Sequence, residues 1–342
     1  MTGSEAMTRD ERGIAASPAA AAPLIEVEDL EVAYHVYGSA PNRALRGISF
    51  QIMPGQILGL VGESGVGKST LARAIMGVLP SPGRIERGQV RFMGSDLVAF
   101  DEAELAKERG RNLAMIVANP RGELNPLLPI GRQIAEVARA HLAVGREEAA
   151  RLAIDMLKAV SIPDPERRMR AFPHELSGGM AQRVVIAIAL VCSPKFVISD
   201  DATSGLDVTV QAQILNLLRR LAREKHMAML YITRDIGVAA NFCDRIAIIY
   251  RGQIVEEAPT DAFFGGPEHP YSNLLLAAFV HDPRLRARWG AALARVTPAA
   301  GEAACLFADH CVNRQERCVS ERPALEESTP GRLVRCHFPV HR

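Results

Sequence analysis

Three features that the sequence lacks limit what this protein can be. Its 40 basic and 39 acidic residues give a net charge of +1, so overall charge predicts no nucleic-acid or acidic-lipid partner. No apolar run approaches the roughly 20 residues that a membrane-spanning helix needs. Residues 1–23 mix charges with an Ala/Pro-rich stretch and have no signal-peptide core. We therefore expect a soluble cytoplasmic protein with a disordered leader over 1–23, free to dock on a membrane partner.

The rest of the chain alternates predicted strands with predicted helices and contains no internal repeat. Apolar alternation predicts two antiparallel strands over 25–34 and 45–53, and 245–256 reads as a hairpin around Arg251 and Gly252. Strands that alternate with helices around a glycine loop indicate a parallel α/β sheet. This alternation of predicted strands and helices weakens after Pro259. Further strands are predicted over 56–61, 89–92, 113–117, 196–200 and 229–232, and helices over 68–77, 132–143, 146–160, 178–191 and 208–224.

A glycine-rich loop carries the clearest chemistry. It reads GESGVGKST over 62–70, so that Gly62, Gly67, Lys68 and Ser69 satisfy G-x-x-x-x-G-K-[ST]. Its backbone amides and the following helix N-terminus suit phosphate groups. We expect Lys68 to contact the β- and γ-phosphates of ATP and Ser69 to ligate Mg²⁺. The predicted ATP-binding set also includes Ser64, Gly65 and Thr70.

Asp200 is the second predicted magnesium residue. It ends the apolar strand over 196–200, where a carboxylate can orient a metal-bound water toward the phosphate loop.

Two longer segments carry a family resemblance. Residues 176–190 read LSGGMAQRVVIAIAL and residues 196–215 read FVISDDATSGLDVTVQAQIL. With the phosphate loop they resemble the nucleotide-binding subunits of ABC transporters, with LSGGM in place of the commoner LSGGQ. The chain resembles the oligopeptide/dipeptide importer subfamily more closely. The segments that carry this resemblance are PRGELNPLLPIGRQI over 120–134, PHELSGGMAQR over 173–183 and EHPYSNLLLAA over 268–278. The resemblance covers about residues 25–340.

The resemblance implies an ABC-type ATP-binding domain over 24–258. Its parts would be a RecA-like parallel core, an antiparallel β subdomain and a helical signature subdomain at about 120–190. Such domains dimerise head to tail, and each ATP site combines one subunit's phosphate loop with the other's signature segment. Ser177, Gly178 and Gly179 would then face the γ-phosphate in the partner's site, at the start of a helix.

Further positions follow from the same resemblance. Tyr34 aligns with the aromatic residue that stacks on adenine, and Tyr37 is the neighbouring alternative. Ser204 and Asp207 lie in the loop that bridges the two sites, the D-loop. The segment 118–133 and the helices after it would face the membrane subunit.

Three positions depart from the family pattern. Asp201 replaces the Glu that polarises the attacking water and is shorter by one methylene, about 1.5 Å. A misplacement of about 1 Å can cost on the order of 100-fold in rate. Ala118 replaces a Gln that contacts Mg²⁺ and water, and its side chain has no donor or acceptor. We do not expect Asn119 to compensate, because adjacent strand residues point in opposite directions.

Arg234 is the third departure and replaces the His that contacts the γ-phosphate. Arg is permanently charged, longer and donor-only, so it can hold ATP firmly but cannot accept a hydrogen bond. An exposed, solvated Arg234 is the alternative. Together with Ala118 and Asp201 it predicts a slow or inactive site on this subunit, beside an intact signature segment.

Four cysteines crowd into the C-terminal region, 259–342. The spacing of Cys305, Cys311, Cys318 and Cys336 resembles the C-terminal extension of oligopeptide-type ATPase subunits. Four thiolates can hold a [4Fe–4S] cluster, and they also suit structural Zn²⁺. We expect the cluster, from the resemblance more than from physics. A pair of disulfides is disfavoured by a reducing cytosol.

The sequence therefore predicts a subunit with ABC-type ATPase activity in a peptide-class importer, a translocase, at the cytoplasmic face of the inner (plasma) membrane. Its cofactors would be ATP, Mg²⁺ and the [4Fe–4S] cluster. Its partners would be a second, non-identical ATPase subunit, two transmembrane permease subunits and an extracytoplasmic substrate-binding protein. The alternative is a regulatory ATP-binding module outside transport, whose Fe–S tail senses redox state.

Overall fold

The computed structural model of the chain describes residues 22–279 and 304–340. All but the last two residues of the predicted leader lie outside this range. The strands are β1 (Ile25–Tyr34), β2 (Asn42–Ile52), β3 (Ile57–Val61), β4 (Gly83–Phe92), β5 (Ser95–Asp96), β6 (Leu113–Val117), β7 (Phe196–Asp200), β8 (Ala228–Thr233), β9 (Arg245–Tyr250), β10 (Gln253–Pro259), β11 (Glu326–Thr329) and β12 (Arg332–Val334).

Helices cover both the predicted regions and several that the pattern did not reveal. They are α1 (Lys68–Ile75), α2 (Glu102–Glu108), α3 (Pro120–Glu123), α4 (Ile130–His141), α5 (Arg146–Ala159), α6 (Pro165–Arg168), α7 (Gly178–Leu190), α8 (Val208–Glu224), α9 (Ile236–Phe242), α10 (Thr260–Gly265) and α11 (Pro270–Phe279). A short helix, Glu316–Ser320, and two 3₁₀ turns, Pro173–Glu175 and Ala308–His310, complete the set.

The strands form two sheets. One is antiparallel, in the order β2-β1-β4-β5. The other runs β11-β12-β10-β9-β3-β8-β7-β6, and its strands β9, β3, β8, β7 and β6 are parallel. The predicted parallel α/β core and the antiparallel pair of strands are confirmed. Strand β3 lies between β9 and β8 and is buried at all five positions. The phosphate loop therefore begins at the centre of the larger sheet.

Two apolar clusters hold the elements together. The antiparallel sheet, α1 and one face of the larger sheet share a cluster that includes Leu30, Leu71 and Leu230. The other cluster joins the helices between β6 and β7 to the larger sheet, through residues such as Ile134, Leu157 and Ile186. Burial of such side chains contributes on the order of 1.5–3 kcal/mol each. Among the described residues, none of the helices is both long and apolar enough to cross a membrane.

The described part of the C-terminal region, 259–279 and 304–340, contains more regular structure than its weak sequence pattern suggests. Its strands β12 and β11 extend the larger sheet beside β10. There the fully buried Glu256 accepts hydrogen bonds from the backbone amides of Glu268 and His269, both at 2.9 Å, and from Arg332 at 3.2 Å. Because β11 has four largely exposed residues and β12 has only three, apolar periodicity could not reveal these two strands.

Candidate nucleotide-binding site

The phosphate loop is shaped by close backbone contacts. It leaves the end of β3 and enters α1, and Gly67 has a φ of 110° that only glycine adopts readily. A Cβ at Gly67 would lie 2.6 Å from the Ala44 carbonyl oxygen, and one at Gly62 would lie 2.5 Å from that of Ile249. Gly65 faces open space. The glycines therefore let the loop pack against β2 and β9 while its rim stays clear for a ligand.

Lys68 is buried beneath this loop. Its Nζ donates hydrogen bonds to the carbonyl oxygens of Gly62 at 2.7 Å and Glu63 at 2.6 Å. Burial lowers the pKa of Lys68, and the carboxylates of Asp201 and Asp200 oppose that shift. The loop thus contains a preoriented cation close to two carboxylates.

The predicted nucleotide residues other than Gly62 line one cleft of about 440 Å³, within the typical size range of ligand sites. The Tyr34 hydroxyl lies 3.5 Å from Thr70 Oγ1, whereas Tyr37 is fully exposed and outside the lining. Asn42 and Ala44 also line the cleft and were missed, because nothing in their residue type signals it. The predicted members that line it are Tyr34, Ser64, Gly65, Gly67, Lys68, Ser69, Thr70, Asp200, Asp201 and Arg234.

Arg234 and Asp201 contact each other at the mouth of the cleft. Arg234 Nη2 lies 3.3 Å from Asp201 Oδ2 and 3.3 Å from Ser204 Oγ, and Nη1 lies 3.5 Å from Ser64 Oγ. Asp201 has a φ of 52°, a left-handed conformation that Asp tolerates better than most residues. The Arg234 side chain is 56% exposed, yet it bridges the phosphate loop, the carboxylate and the D-loop. It is not simply a solvated side chain.

Ala118 is exposed and does not line the cleft. It follows the last residue of β6, Val117, which pairs with Asp200 on the neighbouring strand. We predicted that Asn119 would point away because it lies in a strand; this is wrong, because β6 ends at Val117 and Asn119 follows it. It caps α3, and its Oδ1 accepts a hydrogen bond from the Gly122 amide at 3.3 Å. That contact holds Asn119 Oδ1 against α3.

The signature residues lie outside this cleft, at the start of α7. Ser177 caps the helix and its Oγ accepts a hydrogen bond from the Met180 amide at 3.3 Å. Gly178 has open space where a side chain would be, whereas a Cβ at Gly179 would lie 2.8 Å from Val210 Cγ1. Asp207, in the D-loop, caps α8 by accepting a hydrogen bond from the Val210 amide at 2.9 Å. Gly179 thus packs within the subunit, whereas Gly178 leaves a free surface.

The turn between β9 and β10 supports the phosphate loop, a role that the sequence did not reveal. The Gly252 amide donates to the Val66 carbonyl oxygen, and the Gly252 carbonyl accepts from the Arg46 amide, both at 2.9 Å. Gly252 has a φ of 79°. The predicted hairpin is confirmed, and its turn is also a backbone contact of the nucleotide site.

The four C-terminal cysteines and His337 line one small cavity. The cysteines are Cys305, Cys311, Cys318 and Cys336. Burial raises the pKa of the Cys311 thiol to about 11 and that of Cys336 to about 12. The predicted metal site is not confirmed: in 22–279 and 304–340, no group of three or more His, Cys, Asp and Glu is arranged to hold a metal ion.

An aromatic cluster connects this thiol cavity with the phosphate loop. The Phe307 ring, on the cavity wall, packs 5.4 Å from the ring of Tyr250 and 5.5 Å from that of Tyr271. Tyr250 ends β9, directly before the turn that contacts Val66.

Two family models match the chain. Residues 45–204 match the model described as ABC transporter. Residues 255–318 match the model described as Oligopeptide/dipeptide transporter, C-terminal region.

Curated relatives cover most of the chain. It is 40% identical over 304 residues to the dipeptide transport ATP-binding protein DppD of Escherichia coli (strain K12), which covers 88% of this chain and 93% of the relative. It is 46% identical over 256 residues to the oligopeptide transport ATP-binding protein OppD of Bacillus subtilis (strain 168), covering 75% and 71%.

A solved structure is similar in both fold and sequence. It is the ATP-binding cassette MJ0796, a dimer in a post-hydrolysis state bound to ADP and phosphate. The two share a TM-score of 0.62 and 27% identity, over 69% of this chain and 98% of that one.

Proposed function

The chain belongs to the family of ATP-binding proteins of oligopeptide and dipeptide ABC transporters, and from that premise we propose that it is the less active member of an unequal ATPase pair. It is an ABC-type ATPase subunit. We propose that its cargo class is peptides, as the names of its relatives suggest. The pair would drive import by closing around ATP and reopening after hydrolysis.

The observation that carries the proposal is the ion pair between Arg234 and Asp201. A carboxylate that polarises water must offer a free oxygen to the attacking molecule. Here the carboxylate is shorter than glutamate, and its Oδ2 lies 3.3 Å from a permanent cation and is not free. Ala118 adds no polar atom that could position the water. The site on this subunit would therefore bind ATP and hydrolyse it slowly.

The phosphate-binding half of the site suits Mg-ATP. Ser69 and Asp200 line the same cleft and would hold Mg²⁺, which neutralises charge on the β- and γ-phosphate oxygens. Lys68 would leave its two carbonyl partners for the phosphates, and Arg234 Nη1 would leave Ser64 for the γ-phosphate while Nη2 stays on Asp201. Both movements exchange existing contacts of a cation for contacts with an anion.

The surface offered to partners is apolar or open. Gly178 faces open space, and Val208, beside the D-loop, is 81% exposed, as a head-to-tail partner subunit would require. Leu127 is 82% exposed in the segment expected to face the membrane subunits. We propose a second, non-identical ATPase, two permease subunits and an extracytoplasmic binding protein as partners, with this chain peripheral at the cytoplasmic face of the membrane.

A substitution in the signature segment tests the unequal pair. In a complex assembled from the products of the adjacent genes, Gly178→Asp should lower ATP hydrolysis about 100-fold, as loss of a phosphate-facing donor surface does. The ATP affinity of the isolated chain should not change. Gly145→Asp is the matched control, because Gly145 also faces open space before a helix. A complex that keeps its activity with Gly178→Asp would contradict the proposal.

We also propose that the thiol cavity holds a [4Fe–4S] cluster. Such a cluster distributes four cysteine ligands over four irons, whereas zinc requires its ligands at about 2.3 Å around one ion. Four thiols around one cavity supply the four cysteine ligands that such a cluster needs. When bound, the cluster would link the C-terminal segments and could exchange one electron.

Metal analysis of anaerobically purified protein tests this proposal. We expect visible charge-transfer absorbance with equal amounts of iron and sulfide, and loss of both in Cys318→Ser. Cys192→Ser is the control, because Cys192 lies in the core away from this cavity. Zinc without iron would contradict the proposal.

A further inference from the structure

The nucleotide cleft includes part of a row of three residues that crosses the antiparallel sheet. In the register of the strands, Tyr34 of β1 lies opposite Asn42 of β2 on one side and opposite Gly83 of β4 on the other. Directly opposed residues of an antiparallel pair have their side chains on the same face of the sheet. Asn42 and Tyr34 therefore share one face, and both line the cleft.

The Tyr34 ring covers Gly83. A Cβ at Gly83 would lie 2.8 Å from Tyr34 Cε1 and 3.2 Å from Cδ1, so glycine is the residue that leaves room for the ring. The Tyr34 hydroxyl lies 3.5 Å from Thr70 Oγ1. Because β1 lies between β2 and β4, a ring placed over β4 leans away from β2. The space beside Asn42 is thereby left open.

Asn42 presents its side chain to the cleft. Asn42 and Ala44 line it, whereas Arg43 between them does not, as the alternation of side chains along a strand requires. Asn42 is exposed, so its amide can bind a ligand in the cleft. That amide offers a donor, Nδ2, and an acceptor, Oδ1, side by side.

The place of Tyr34 and Asn42 in the cleft indicates which part of a nucleotide they would contact. Lys68, Ser69 and Asp200 would hold the phosphates and Mg²⁺ under the proposed function, on which this inference rests. The base is the neutral, planar part of the ligand and stacks on aromatic rings. Among the described residues that line the cleft, Tyr34 is the one aromatic side chain. A base that stacks on Tyr34 has its edge beside Asn42.

We propose that Asn42 selects adenine by a two-point contact with the edge of the base. Nδ2 would donate to adenine N7, and Oδ1 would accept from the exocyclic amino group, a pairing that suits the Asn amide. Guanine and hypoxanthine carry an oxygen in place of that amino group, so Oδ1 would face a second acceptor. Stacking on Tyr34 alone does not make this distinction, because every base has a π-face. Asn42 is thus a specificity-determining residue of the nucleotide site.

Competition between nucleotides tests the proposal on the full chain. In the presence of Mg²⁺, ATP should displace a fluorescent ATP analogue with a Kd about tenfold below that of ITP, which carries hypoxanthine. The analogue 7-deaza-ATP, which lacks N7, should bind about fivefold more weakly than ATP. Equal affinity for ATP and ITP would overturn this proposal alone, whereas a chain that binds no nucleotide would overturn the proposed function as well.

Variants assign the base preference to Asn42. Asn42→Leu keeps the size of the side chain without its polar atoms, so ATP binding should weaken about tenfold while ITP binding stays unchanged, and the two nucleotides should bind alike. Arg43→Leu is the matched control on the opposite face of the same strand, and its ratio of ATP to ITP affinity should equal that of the wild type. A preference for ATP that persists in Asn42→Leu would overturn the proposal.

Discussion

The two edges of the nucleotide cleft differ in how their polar groups are used. At the phosphate edge, Lys68 lies against the backbone carbonyls of its own loop at 2.6 and 2.7 Å, and the glycines are fixed by neighbouring backbone. At the opposite edge, Arg234 and Asp201 are partly exposed and are held by each other and by serine hydroxyls.

Under the proposed function, this difference makes the binding and the hydrolysis of ATP separate properties of one cleft. The phosphate edge is fixed by backbone geometry, so few residue types can occupy it. The opposite edge depends on side chains that reach across from two loops, and it can change chemically while the cleft keeps its shape. Three predictions compare the two edges directly.

The largest effect is expected at the phosphate edge. Lys68→Ala removes the buried cation that would make two charged contacts, each of about 2 kcal/mol, so the Kd for ATP should rise about 1,000-fold. Fluorescence titration with an ATP analogue in the presence of Mg²⁺ measures it. Lys107→Ala, at the end of α2, is the control and should bind as the wild type does. A Lys68→Ala variant within about tenfold of the wild-type Kd would show that the phosphates lie elsewhere.

The second effect concerns hydrolysis alone. The triple substitution Ala118→Gln, Asp201→Glu and Arg234→His restores the family residues, and phosphate release by the purified chain should rise about 100-fold, since a reacting group shifted by about 1 Å costs that much. Adding Lys68→Ala to the triple variant should abolish the gain. An unchanged rate in the triple variant would contradict the slow-site proposal, as would wild-type turnover in the range of about 1–1,000 per second.

The smallest effect is expected for Arg234 alone. An exposed ion pair or phosphate contact of this kind contributes at most about 1 kcal/mol, so Arg234→His should weaken ATP binding about fivefold. Arg223→His, in the last turn of α8, is the control with the same change of residue type. Unchanged or tighter ATP binding in Arg234→His would mean that Arg234 does not contact the nucleotide.

Much of the fold could be predicted because its core strands are apolar on both faces. The intervals of β6, β7 and β9 agree with the apolar runs, and α8 agrees with the helical period. The strands of the C-terminal region could not be predicted in this way. Strand β11 has four largely exposed residues and β12 has three, so neither shows an apolar period. Strand β10 was predicted to Glu256, but only the three-dimensional pairing with Arg332 and Arg245 explains the burial of Glu256 and Glu257.

The site could be predicted where a motif constrains backbone and chemistry together. The phosphate loop is such a motif, and its predicted residues except Gly62 line the cleft, whereas their functional roles stay predictions. The contact between Arg234 and Asp201 could not be predicted, because 33 positions separate them in the chain. The support from Gly252 was hidden for a related reason: a hairpin turn looks the same in sequence whether or not it contacts a distant loop.

The aromatic cluster behind the phosphate loop has a practical consequence for how this protein can be divided. Phe307 comes from the C-terminal segment and packs on Tyr250 and Tyr271, and Arg251 Nη1 lies 3.4 Å from the Leu306 carbonyl oxygen. Tyr250 and Arg251 lead directly into the turn that holds Val66. A truncated protein that ends at residue 279 would lack this packing beneath its ATP-binding loop. A nucleotide affinity measured on that fragment would therefore not apply to the full chain, and biochemical work should keep the C-terminal segment in place.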